Sequence, residues 1–141
     1  MHILTNLREL FTEYLKDNQF VQTPKELYEP NNYFLSIGGK RMRPVLVLLG
    51  SHLYRGNTKD ALPAALAIEY FHNFSLIHDD MMDNAPLRRG KVTVHEKFGP
   101  NTAILSGDAL LVYAYKYLTK IPIENLKLVL EIFSDTAIEV C

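Results

Sequence analysis

The sequence predicts an all-α fold, an antiparallel helix bundle, and two observations carry that expectation. Apolar residues recur at three- and four-residue spacing through most of the chain, and no segment alternates long enough to make a strand, Lys91 to His95 coming nearest. Prolines and glycines divide these segments at intervals that leave only short connections, which favours antiparallel neighbours.

Ile3, Leu4, Leu7, Leu10, Phe11, Tyr14 and Leu15 give an amphipathic first helix. Pro24 and Pro30 interrupt the next stretch of chain, so the second helix is expected only from about Tyr33 to Ile37, with Gly38-Gly39 as its stop. Pro44 suits the first turn of a third helix, Val45 to Tyr54, closed by Gly56-Asn57. One long apolar helix should run from Ala61 to Met82, entered at Asp60 and stopped by Asn84-Ala85-Pro86. Leu87 to Gly99 reads as a loop. Pro100 opens a helix to about Leu118, and Pro122 separates it from a last one that begins at Ile123 and reaches the C-terminus. That last helix is still in register at Ile132, Phe133, Ala137, Ile138 and Val140, so the chain reads as cut rather than finished.

The 141 residues allow one domain. Fifteen Lys and Arg against sixteen Asp and Glu leave a formal charge of -1, so nothing global draws the chain to nucleic acid or an anionic membrane, and anion binding must be local. With 48% apolar and 22% charged residues, the composition is that of a globular protein. A single cysteine, Cys141, excludes an internal disulfide. The N-terminus carries no signal-like apolar run, and no stretch approaches the ~18 apolar residues of a membrane span. Together these features point to a cytoplasmic protein.

Three carboxylates, Asp79, Asp80 and Asp83, close the long apolar helix. Residues 79 and 83 share a face one turn apart, with Asp80 to one side. They repel one another and oppose the helix macrodipole, a cost that an added cation would offset. Carboxylates without soft ligands suit magnesium, which keeps waters and is commonly completed by substrate phosphates. His72 lies two turns earlier on nearly the same face. A solvated acidic helix end and a hydrogen-bonded core histidine are the plain alternatives.

Six of the fifteen Lys and Arg fall in two short segments, Lys40-Arg41-Met42-Arg43 and Arg88-Arg89-Gly90-Lys91. Guanidinium forks beside glycines can contact several oxygens of a diphosphate at once. Taken singly, each segment is also what a solvated turn looks like. The near-neutral net charge and the lack of an aromatic and basic platform count against nucleic acid.

These residues resemble the trans-polyprenyl diphosphate synthase family, its short-chain farnesyl and geranylgeranyl members in particular. Gly38-Gly39-Lys40-Arg41-Met42-Arg43-Pro44 is similar to the family's GGKRxRP segment, and Asp79 to Asp83 to its first DDxxD motif. Leu87-Arg88-Arg89-Gly90 with Thr93 and His95 resembles LRRGxxTxH, and Gly107-Asp108 resembles the family's GD pair.

The resemblance implies a bundle of the isoprenoid synthase type and head-to-tail condensation of isopentenyl diphosphate onto an allylic diphosphate. By the same resemblance Asp79, Asp83 and Asp80 hold magnesium, and Arg88 assists the allylic diphosphate. Lys40, Arg43, His72 and Arg89 hold isopentenyl diphosphate, and two copies of the chain form a homodimer. Phe74 and Ser75, about one turn below Asp79, match positions where a bulky side chain limits product length, which favours farnesyl or geranylgeranyl diphosphate; Phe74 as core packing is equally compatible. Residues 1–141 correspond to the N-terminal part of one synthase domain. The second aspartate-rich motif has no counterpart here, so the piece alone is expected to be inactive.

Three other readings compete. A noncatalytic subunit would bind a complete synthase without turning over. An HD-type metal phosphohydrolase is suggested by His78-Asp79 but lacks further ligands and leaves both arginine-rich segments unexplained. A class I terpene cyclase shares the carboxylates but not Lys40 and Arg43.

Overall fold

Residues 2–141 are described by a computed structural model and form seven helices and one short hairpin. The helices are α1 (His2–Asp17), α2 (Lys25–Ser36), α3 (Met42–Leu53), α4 (Leu62–Met82), α5 (Val94–Phe98), α6 (Pro100–Leu118) and α7 (Ile123–Val140). The hairpin pairs β1 (Leu87–Arg88) with β2 (Lys91–Val92). Among the described residues no helix is long and apolar enough to cross a membrane.

The fold is built around α4. Leu62, Ala65, Leu66, Ala67, Tyr70, Phe71 and Ile77 are all buried, and they do not share one face. A helix that is apolar all round must be wrapped on every side. Here α6 covers it most extensively, α3 packs on it as well, and α1 packs on both α3 and α4. Aromatic rings fill the space under the α1–α2 connection: Phe20 stacks on Tyr28 at 5.6 Å and meets Tyr113 edge-on at 4.8 Å. Asn32 holds that connection in place, accepting from the Phe20 amide at 3.0 Å and donating to its carbonyl at 2.7 Å.

The second helix is longer than expected. It begins at Lys25 and carries Pro30 inside it, although proline removes an amide donor and crowds the preceding turn. Packing wins here: Pro30, Asn31, Phe34 and Leu35 are buried, and Ser106 of α6 donates to the Leu27 carbonyl at 3.1 Å. Two further expectations are corrected. Asp60 does not cap α4; Ala61 stands at the N-cap without a side-chain bond, because residues 57–61 turn on themselves through Asn57.

Leu87 to Gly99 is not a plain loop: Lys91 and Val92, at the start of the stretch that came nearest to a strand, form one side of the hairpin. Arg89 and Gly90 both have positive φ, 52° and 74°, as a two-residue turn of type I′ requires, so Leu87 pairs with Val92 and Arg88 with Lys91. The short helix α5 comes directly after the hairpin. Thr93, fully buried, donates from Oγ1 to the Ala85 carbonyl at 2.8 Å and ties the hairpin to the end of α4.

Leu48, on α3, is fully buried in the core, whereas Leu53 at the end of the same helix is 68% exposed. Leu48→Ala should therefore lower the unfolding free energy by about 2–5 kcal/mol, and Leu53→Ala by at most ~0.5 kcal/mol. Urea unfolding of the two variants measures the difference.

Candidate active site

The carboxylates of α4 sit where the helix leaves its wrapping. Its end is a Schellman motif: Asn84 has φ 49°, its amide bonds the Met81 carbonyl at 3.1 Å, and the Ala85 amide bonds the Asp80 carbonyl at 2.9 Å. This turns the chain sharply and brings the hairpin back along the helix. Asp79 and Asp83 are left facing solvent, while Asp80 is buried.

Asp80 is partnered by Arg88. The arginine Nε donates to both carboxylate oxygens, at 3.0 and 2.8 Å, and Nη2 approaches Oδ1 at 2.8 Å. The bond to Asp80 pushes the Arg88 pKa further up against partial burial, with Asp79 and Asp83 adding to the field. The three aspartates therefore do not form one cluster. Among the described residues no group of three or more His, Cys, Asp or Glu side chains stands close enough to hold a metal ion. Asp79 and Asp83 remain as exposed oxygen donors one turn apart, a set that suits a hard cation retaining waters and phosphate oxygens.

Lys40, Arg43, His72 and Arg89 do come together. With Gly39, Arg41, Met42 and Glu69 they line a pocket of about 540 Å³. Arg43 Nη1 lies 3.1 Å from His72 Nε2. A guanidinium can only donate, so Nε2 accepts and His72 is neutral, its proton on Nδ1. Burial, followed by the Arg43 charge, pushes the His72 pKa down. Arg89 reaches the pocket by crossing Gly39: a β-carbon at residue 39 would stand 2.9 Å from its Cζ. About 10 Å of helix separates His72 from Asp79.

Two residues of this pocket carried no assignment from the sequence. Arg41 and Glu69 form a buried ion pair across 28 residues of chain, and Arg41 Nη2 also donates to the Leu35 carbonyl at 2.6 Å. The available signal was Glu69 itself, a charge inside an apolar run, which requires a partner.

Phe74 and Ser75 lie between the two charge sets. Ser75 Oγ donates to the His72 carbonyl at 2.9 Å. The Phe74 ring packs edge-on against His78 at 4.7 Å and tilts on Phe71 at 5.7 Å. Phe71, Ile68 and Ala64 of α4 line an apolar cavity of about 510 Å³, together with Val47 of α3 and Phe133 of α7. His78 rests on α6, donating to the Ile104 carbonyl at 3.2 Å, and its Cδ2 would lie 2.7 Å from any β-carbon at Gly107.

The depressed His72 pKa fixes the sign of one pH effect. Above about pH 6.5 the ring is neutral whether the chain is folded or not, and it adds nothing. Below that value the unfolded chain takes up the proton more readily, so stability is lost as pH falls toward the folded-state pKa. Urea unfolding between pH 7 and 5 should show a steeper loss in the unaltered chain than in His72→Gln.

Residues 24–141 match the polyprenyl synthetase family. The chain is 42% identical over 123 residues to geranylgeranyl diphosphate synthase of Methanosarcina mazei, covering 86% of this chain and 38% of that one. It is 50% identical over 101 residues to farnesyl diphosphate synthase of Micrococcus luteus, covering 70% and 35%. The solved geranylgeranyl pyrophosphate synthetase of Geoglobus acetivorans superposes with a TM-score of 0.94 at 38% identity, covering 99% of this chain and 46% of the other. The chain thus spans less than half the length of these relatives. A family match over residues 24–141, together with the same helical fold in solved relatives, establishes that the chain belongs to the polyprenyl synthetase family.

Proposed function

We propose that this chain is the N-terminal part of a short-chain prenyl diphosphate synthase domain, which condenses isopentenyl diphosphate with an allylic diphosphate to give farnesyl or geranylgeranyl diphosphate. The observation that carries this reading is the division of α4 into two charge sets: a cationic pocket around His72, and solvent-facing carboxylates at its C-terminal end, about 10 Å further on. One set suits a bare diphosphate and the other a diphosphate neutralised by metal. Homodimerisation and a cytoplasmic location belong to the same proposal.

In this mechanism Lys40, Arg43 and Arg89 neutralise the diphosphate of isopentenyl diphosphate, and neutral His72 orients Arg43 by accepting from it. Asp79 and Asp83 would hold magnesium, which when bound stabilises charge growing on the departing pyrophosphate. Asp80 aims Arg88 at the same phosphates through its fork. The allylic C–O bond breaks with its electron pair leaving on pyrophosphate. The isopentenyl double bond then forms the new C–C bond, and the resulting cation loses a proton to pyrophosphate. Apolar surroundings keep water from the cation, and no protein nucleophile takes part.

A protein carrying this chain should convert isopentenyl diphosphate and an allylic primer into a prenyl diphosphate when magnesium is supplied, and Asp79→Asn or Asp83→Asn should lower turnover by about 100-fold or more. Absence of product with every allylic primer would refute the reading. Binding of both diphosphates without condensation would favour a noncatalytic subunit instead.

Phe74→Ala removes the ring between the carboxylate end and the Phe71 wall of the apolar cavity. Chromatography of the products should show longer chains from this variant, while an unchanged distribution would leave Phe74 as core packing.

A further inference from the structure

Of the four residues in Lys40-Arg41-Met42-Arg43, Arg41 is the one whose charge is already engaged. Its guanidinium is mostly buried, with the side chain 10% exposed, and it is shared between the Glu69 carboxylate and the Leu35 carbonyl. Leu35 belongs to the last turn of α2, Glu69 to the middle of α4, and Arg41 itself to the N-cap of α3. One side chain therefore fastens three helices at one point.

The backbone around it needs that fastening. Gly38 and Gly39 have φ of 82° and 149°, and Arg41, which is not glycine, sits in the left-handed region at 50°. Such a conformation persists only where the surroundings over-determine it. The Glu69 end is equally fixed, since Asn73 Nδ2 donates to both its Oε1, at 3.0 Å, and its backbone carbonyl, at 2.5 Å. Lys40 and Arg43 flank Arg41 in the chain, Arg89 lies across Gly39, and His72 is one turn on from Glu69.

We propose that Arg41, acting through Glu69, is a positioning residue of the cationic pocket. It does not contact the diphosphate but holds the 38–43 segment so that Lys40, Arg43 and Arg89 converge beside His72. The inference rests on the diphosphate reading of that pocket. It differs from a purely structural role in one respect: the pocket should lose affinity even when the fold is intact.

Replacing the pair by Arg41→Met and Glu69→Met together keeps the local net charge and leaves no buried ion without a partner, a change that folded proteins commonly tolerate. It removes the anchor to Leu35. Calorimetric titration with inorganic pyrophosphate in the absence of magnesium provides the readout. The unaltered chain should bind, and the folded double variant should bind about tenfold more weakly, the scale at which orienting groups behind direct ligands act. Arg41→Gln and Glu69→Gln should each weaken binding, and combining them should cost no more than the worse single change, because each acts through the other. Arg41→Lys, which keeps the charge but loses the planar fork, should fall between. A folded double variant with unaltered affinity, or strictly additive single losses, overturns the inference while leaving the diphosphate reading in place. Failure of the unaltered chain to bind pyrophosphate overturns both.

Discussion

The deep burial of much of α4 is the constraint that determines the site. A carboxylate on such a helix either reaches water or requires a cation, and two of them, Glu69 and Asp80, are buried. Each is met by an arginine from a different basic segment: Arg41 from the one before α3 and Arg88 from the hairpin after α4. In both segments one guanidinium therefore anchors the chain to α4, and another, Arg43 or Arg89, is delivered to the shared pocket. In each segment one arginine is paired with a buried carboxylate of α4 while another lines the shared pocket.

Local backbone geometry makes that division possible. The Schellman end of α4 and the type I′ turn at Arg89-Gly90 reverse the chain twice within a few residues. Arg88 and Arg89 are adjacent in sequence yet serve different partners, Asp80 and the surface over Gly39. A side chain at residue 39 would displace Arg89 with little cost to the core, because what it meets is the far end of a flexible arginine. That glycine is needed for the reach of a neighbour as well as for its own backbone angle.

Much of this was legible in the sequence. The spacing of Leu7, Leu10 and Phe11, the apolar density from Ala61 to Met82, and the prolines at 100 and 122 give α1, α4, α6 and α7 nearly to the residue. What failed depends on partners distant in the chain. Pro30 reads as a breaker until α6 is laid against its helix, and Arg89 is an unusual residue for a turn with positive φ. Spacing sets Asp80 to one side of Asp79 and Asp83 but does not reveal that this side of α4 is the buried one. The convergence of Lys40, Arg43, His72 and Arg89 was anticipated from motif resemblance. The Arg41–Glu69 pair was not, because nothing local joins residues so far apart in sequence.

The apolar part of α4 completes the physical logic. A diphosphate ester with a hydrocarbon tail needs charge at one end of its site and apolar surface directly beyond it. Ile68 lies about three turns before Asp79 on nearly the same face, and it already belongs to the wall of the 510 Å³ apolar cavity. Between them, the Phe74 ring is braced on both sides, by His78 above and Phe71 below, while His78 is itself seated against Gly107 of α6. On the proposed function, any limit that Phe74 sets on chain length involves His78 and its seat on α6 as well as one side chain.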